Sequence, residues 1–149
     1  MKIINVFGLL ILALFVFSVP SAAQDRKSVS GAEVTGIFKT KNGSEFLIQA
    51  LGKGRLKVEF NGTYEYKMAN GEMMANTGTA RGEAVIEGDT AVFKPEEVAD
   101  TCTITLKFTK PGTLEVTEAG ESCGFGNRVT SGGTYRRKSR AKPKFTEPL

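Results

Sequence analysis

Cys102 and Cys123, the only cysteines of the chain, bracket an alternating run through Ile104, Leu106 and Phe108, a Pro111-Gly112 turn, and a second run through Leu114 and Val116. Successive side chains of a strand point to opposite faces. Cys102, Ile104, Leu106 and Phe108 therefore share one face, and Thr103, Thr105, Lys107 and Thr109 the other. A hairpin with one apolar face is not stable alone in water, so this face has to pack on more sheet. Two cysteines flanking such a hairpin are most simply joined as one disulfide, which calls for an oxidising compartment. Closing a loop of about 20 residues is worth roughly 3 kcal/mol, a sizeable share of the ~5–15 kcal/mol that holds a domain together.

The start of the chain points to the same compartment. Lys2 is followed by almost wholly apolar residues 3–17 and then by Ser21-Ala22-Ala23, small residues at cleavage spacing. Residues 1–23 read as a signal peptide cleaved before Gln24. The apolar run is shorter than the ~20 residues of a membrane-spanning helix, and no cysteine lies near the cleavage point to carry a lipid. The mature protein is expected to be exported, periplasmic or extracellular, and long enough for one domain. Residues 24–32 are small and polar and read as a flexible lead, residues 33–137 as the folded domain, and residues 138–149 as a basic, disordered tail. At the end of the chain, Arg136, Arg137, Lys138, Arg140, Lys142 and Lys144 against Glu147 sum to +5, more than the formal charge of +4 of the whole chain. With Lys2 removed, the remaining body stands at about −2.

Between lead and tail the chain is a succession of short alternating segments. Val34 and Phe38 begin the first, Asn42-Gly43 turns it, and Phe46, Ile48 and Ala50 alternate in the next. After Gly52-Lys53-Gly54, the residues Leu56, Val58 and Phe60 alternate with charges in the cleanest period of two in the protein. Asn61-Gly62 reads as another turn, followed by a strand with Tyr64, Tyr66 and Met68 inside. A loop with Met73 and Met74 comes next. Ala80, Gly82 and Ala84 then mark a place where the sheet bends or another segment approaches closely. Val92 lies in a short strand ended by Pro95. Gly133-Thr134-Tyr135-Arg136 echoes Gly36-Ile37-Phe38-Lys39, which predicts that first and last strands pair. Together these segments predict an all-β fold, an up-and-down antiparallel barrel of about eight strands with one disulfide, the alternative being a β-sandwich. The expected core is Val34, Phe38, Phe46, Ile48, Leu56, Val58, Phe60, Tyr64, Tyr66, Ile86, Val92, Ile104, Leu106, Phe108, Leu114, Val116 and Tyr135, bulky enough to fill such a barrel.

The chain has no histidine, which removes imidazole bases, Ser-His and Cys-His pairs and most zinc sites. No glycine loop precedes a helix to cradle phosphate. Glu59, Glu65 and Glu115 alternate onto the solvent face, and Glu96, Glu97 and Asp100 lack the ordered ligand spacing of a calcium loop. The protein is expected not to be an enzyme and to need no cofactor or metal. Asn42-Gly43-Ser44 and Asn61-Gly62-Thr63 fit glycan sequons but are explained as turns. The candidate contact residues are Phe125, set between two glycines beside Cys123, its neighbour Arg128, and Met73 and Met74, whose side chains make adaptable apolar surface. The basic tail offers contact with an anionic membrane surface; nucleic acid is not expected.

Cys102-x-Ile104-x-Leu106-x-Phe108 and Cys123-Gly124-Phe125-Gly126-x-x-Val129-x-x-x-Gly133-x-Tyr135-Arg136 resemble a pattern in small exported bacterial proteins of unassigned activity. Ser131-Gly132-Gly133-Thr134-Tyr135 is similar to the Ser-Gly-x-x-Tyr motif of the periplasmic inhibitors of C-type lysozyme. Their second motif contains tryptophan, which this chain lacks. That second resemblance implies an eight-stranded disulfide-bearing barrel and would make Ser131 and Tyr135 partner contacts. The expected function is a non-enzymatic, monomeric binding protein of the bacterial envelope, an inhibitor of a secreted hydrolase in its sharpest form. The alternatives are a lipocalin-like carrier of a small apolar ligand, with Phe60, Tyr64 and Leu106 lining a cavity, and a structural envelope protein.

Overall fold

The computed structural model describes residues 28–146. The expected signal peptide, the first residues of the lead and residues 147–149 lie outside the described residues. Eight antiparallel strands follow one another around a closed barrel: β1 (Gly36–Lys39), β2 (Glu45–Gly52), β3 (Arg55–Lys67), β4 (Met73–Glu87), β5 (Thr90–Phe93), β6 (Cys102–Lys110), β7 (Thr113–Gly120) and β8 (Gly133–Ser139). The expected up-and-down barrel is what forms, and the sandwich is not. β1 and β8 pair, with Phe38 opposite Arg137, and so close the sheet. Closure gives β1 and β8 a neighbour on both sides, so neither is left as an open edge of the barrel.

Aromatic rings fill the interior. Phe46 lies 4.9 Å from Phe60 and 5.0 Å from Tyr135, centroid to centroid, and Phe38 lies 6.0 Å from Phe108. Their bulk is matched on β4, where Ala84, Gly82 and Ala80 are the register partners of Leu56, Val58 and Phe60. This is the close approach that the small residues of β4 predicted. Small residues facing large ones let a narrow barrel close without a void. In β5 the inner positions belong to Ala91 and Phe93, and Val92, expected inside, faces solvent. Phe93 has the larger apolar surface to hide, and that sets the parity.

Each end of the barrel is plugged. At one end stands the short helix α1 (Gly31–Val34), started by a capping box in which Ser30 and Glu33 bond each other's backbone N–H. Such reciprocal capping satisfies two orphan donors. Val34 is buried in the core, and the Val29 N–H bonds the Gly88 carbonyl. Residues 28–32, expected to be part of a flexible lead, are thus tied to the barrel. The other end is closed by the loop between β7 and β8, which carries Phe125.

The expected disordered tail also differs. Ser139 ends β8, and the chain beyond it returns to the barrel wall, where Pro143 is buried. The Thr146 N–H and hydroxyl donate to the two carboxylate oxygens of Glu59 at 2.9 and 2.8 Å, and Asn61 Nδ2 adds a third bond at 3.1 Å. The Lys57 ammonium sits 4.6 Å above the Phe145 ring. Glu59 does point outward from β3, as its alternation requires, but the tail covers it to 2% exposure. Basic residues dominate the composition of this segment, yet Pro143 and Phe145 supply the apolar contact that holds it.

Candidate functional site

The longest strands identify the part of the molecule that stands away from the core. β2 pairs β3 only as far as Glu45 opposite Asn61, and β5 pairs β4 only from Ala84 to Glu87. β3 and β4 continue to pair with each other from Gly62 opposite Gly78 out to Lys67 opposite Met73. The outer half of this hairpin is a two-stranded ribbon that projects past the barrel rim. No turn forms at Asn61-Gly62, contrary to the expectation from those two residues. Gly62 is needed there for its missing side chain, since a Cβ would lie 2.5 Å from the Phe60 ring and 2.7 Å from Val129.

One face of the ribbon carries Tyr64 and Tyr66 with their register partners Asn76 and Met74. The tyrosine rings stack at 6.3 Å. Both were expected in the core. Their parity is as read, but they lie beyond the rim, where neither reaches full burial. Met68, Met73 and Met74 are 44%, 62% and 46% exposed, with Met73 on the opposite face of the ribbon from Tyr66. Leu51, Val85 and Val92 on the barrel are exposed to a similar degree, and what distinguishes the ribbon tip is that three methionines stand together there.

The base of the ribbon is gripped by the loop of residues 121–132. Cys102 and Cys123 form the expected disulfide, with Cα atoms 4.7 Å apart, and tie the loop to the start of β6. The Phe125 ring packs 5.0 Å from Phe60 and lies on Gly78, where a Cβ would come within 2.8 Å of it. The Gly126 N–H bonds the Thr77 carbonyl, and Asn76 Nδ2 donates to the Asn127 carbonyl at 2.7 Å. Arg128 takes a φ of 65°, a region that side-chain-bearing residues seldom occupy. From there its guanidinium lies 4.9 Å over the Tyr64 ring. Phe125 is thus a half-buried plug, and Arg128 is the exposed member of the pair.

Ser131 and Tyr135, the contact candidates of the lysozyme-inhibitor resemblance, are both fully buried. One oxygen of Glu118 accepts from the Ser131 N–H and hydroxyl, each at 2.8 Å, and from the Thr130 hydroxyl at 3.0 Å. The Tyr135 hydroxyl donates to the Ser131 carbonyl at 2.8 Å. Burial, with the Glu118 charge adding to it, pushes the Tyr135 phenol well above its ordinary value. These groups anchor the far end of the loop as the disulfide anchors the near end. Placed in this way, their side chains pack within the protein and offer no exposed surface. No protein-family model matches the chain, and no curated protein or solved structure is similar to it.

Of the residues singled out from the sequence, the structure brings Arg128, Met74 and the plug Phe125 together around the ribbon. Tyr64 and Tyr66 complete the set. Their signal was the alternation of β3, which runs unbroken through Asn61-Gly62. Among the described residues no three carboxylate or cysteine groups are placed to hold a metal ion. Glu59 is already occupied by its hydrogen bonds, and Glu65 and Glu115 lie on the exposed outer surface.

Proposed function

We propose that the protein is an exported, non-enzymatic binding protein of the bacterial envelope that meets a protein partner through the β3–β4 ribbon, and that the partner is a secreted hydrolase which it inhibits. The observation that carries this reading is Arg128, held in a left-handed conformation over Tyr64 at the base of a projecting ribbon of tyrosines and methionines. Strained backbone persists where the surroundings over-determine it, and clusters at sites of function. Tyrosine and arginine dominate the energetic centres of protein interfaces, and methionine supplies adaptable apolar contact. A narrow convex ribbon complements a cleft, and enzymes carry their active sites in clefts. The disulfide and the leader-like N-terminus support export. Among the described residues no helix is long and apolar enough to cross a membrane. The carrier reading has less support, since Phe60 and Leu106 are fully packed in the core and Tyr64 stands outside it.

A photoreactive side chain placed at Met74 in the exporting cell should cross-link to one secreted hydrolase. The purified wild-type protein should inhibit that enzyme. The double variant Tyr66→Ala with Met74→Ala should weaken inhibition by about a hundredfold or more, at interface costs of about 2 kcal/mol for an anchor residue. Its unfolding midpoint should stay unchanged. Inhibition insensitive to the ribbon variant would overturn the assignment.

A further inference from the structure

The seam that closes the barrel carries a second surface, on the wall formed by β8 and β1. The register sets Lys39 directly opposite Arg136. Like charges opposite one another across a strand pair destabilise it, so this arrangement has a cost that the fold does not require. Lys39 finds the Glu45 carboxylate at 2.7 Å, whereas Arg136 donates to the neutral Thr113 hydroxyl at 2.6 Å. Lys138, further along β8, and Lys41, in the turn after β1, complete a groove of about 500 Å³ whose other walls are Thr40, Asn42 and Thr134. Four cations face one concavity, with hydroxyl and amide groups between them and no carboxylate in the lining. The groove thus gathers Lys39 and Lys41 from the start of the barrel and Arg136 and Lys138 from its last strand on one side of the molecule.

We propose that this face docks on an anionic phospholipid bilayer, with headgroup phosphates entering the groove. The lining holds no aromatic ring on which a base could stack, which leaves a nucleic acid only its backbone to offer. Nor does it hold the buried aromatic or aliphatic anchor around which protein interfaces form. Three of the four cations are lysines, point charges on flexible stems. Such heads suit a fluid array of phosphates better than one fixed bidentate ligand. Each cation near an anionic surface contributes about 1 kcal/mol, roughly a fivefold gain in affinity. The ribbon does not line this groove, so a docked molecule keeps its protein-binding face free.

Sedimentation with vesicles tests the proposal, using phosphatidylcholine alone or with roughly one-third phosphatidylglycerol. The wild-type protein should pellet only with the anionic vesicles and be released as salt rises from about 50 to about 500 mM, because the attraction is screened. Changing Lys41 and Lys138 to glutamine should weaken binding roughly thirtyfold. Changing Lys53 and Lys94, equally exposed but outside the groove, removes the same net charge and should leave affinity within about twofold. Equal losses in the two double variants would reduce the effect to net charge and overturn the proposal. So would failure of the wild type to pellet at low salt, or tighter retention by duplex DNA than by the vesicles.

Discussion

At the scale of single residues, Tyr135 shows how a polar atom is accommodated in an aromatic core. Its ring packs against Phe46, and its hydroxyl reaches the Ser131 carbonyl. Burial, and secondarily Glu118, favours the neutral phenol, so the folded state holds that proton more tightly than the unfolded chain. The contribution to stability is therefore complete below the unfolded value of about pH 10 and is lost as pH rises from there through the higher folded value. Tyr135→Phe should cost about 1 kcal/mol at neutral pH, the worth of one hydrogen bond whose acceptor is left buried. It should also flatten the alkaline fall in stability, measured by urea unfolding at neutral pH and again above pH 10. The only two cysteines are paired, so no thiol is present to reshuffle the disulfide at high pH. An equally steep alkaline fall in the variant would mean that Tyr135 is not the group responsible. Tyr135 was legible as core from its alternation. The Ser131 bond was not, because it depends on where a loop of irregular backbone comes to rest.

At the scale of elements, the same two residue types play opposite parts in two places. Asn42-Gly43 makes the tight turn between β1 and β2 that its sequence promises. Asn61-Gly62 continues a strand, because the space beside Gly62 is taken by Phe60 and Val129. The dipeptide looks alike in both cases, and the deciding contact comes from a distant loop, which local reading does not reach. The partner of Gly62 across the hairpin, Gly78, makes the consequence measurable. Gly78→Ala would place a methyl 2.8 Å from Phe125, an overpacking that should cost about 1–3 kcal/mol. Phe125→Ala, which removes a half-buried plug, should cost about 2 kcal/mol, less than for a fully buried ring. If the plug rests on Gly78, the double variant should lose less than the two single losses combined by about 1 kcal/mol, since each change relieves the other. Strictly additive losses in urea unfolding would place Phe125 elsewhere in solution.

At the scale of the whole molecule, composition and position pull apart. The tail is rich in lysine and arginine and short of apolar residues, which is why it reads as disordered. Two apolar side chains, Pro143 and Phe145, and one threonine are nonetheless enough, because β3 offers a carboxylate waiting for donors. Glu59 and its register partner Leu47 sit side by side on the outer wall, and both are buried although they face away from the core. Periodicity shows correctly that Glu59 points outward; it cannot show that the end of the chain comes back to cover it. Removing residues 140–149 would return this row to water. The uncovered apolar area is worth about 2 kcal/mol, and the freed chain regains part of that as entropy, for a net loss of about 1 kcal/mol. In a domain of this size the thermal midpoint should fall by roughly 4 °C. Amide exchange should quicken along the middle of β2 and β3 while the β6–β7 hairpin, tied by the disulfide on the far side of the barrel, keeps its protection. Faster exchange spread evenly over all eight strands would show instead that the tail supports the fold globally. An unchanged midpoint with unchanged exchange at Leu47 and Glu59 would show that the strap does not hold in solution.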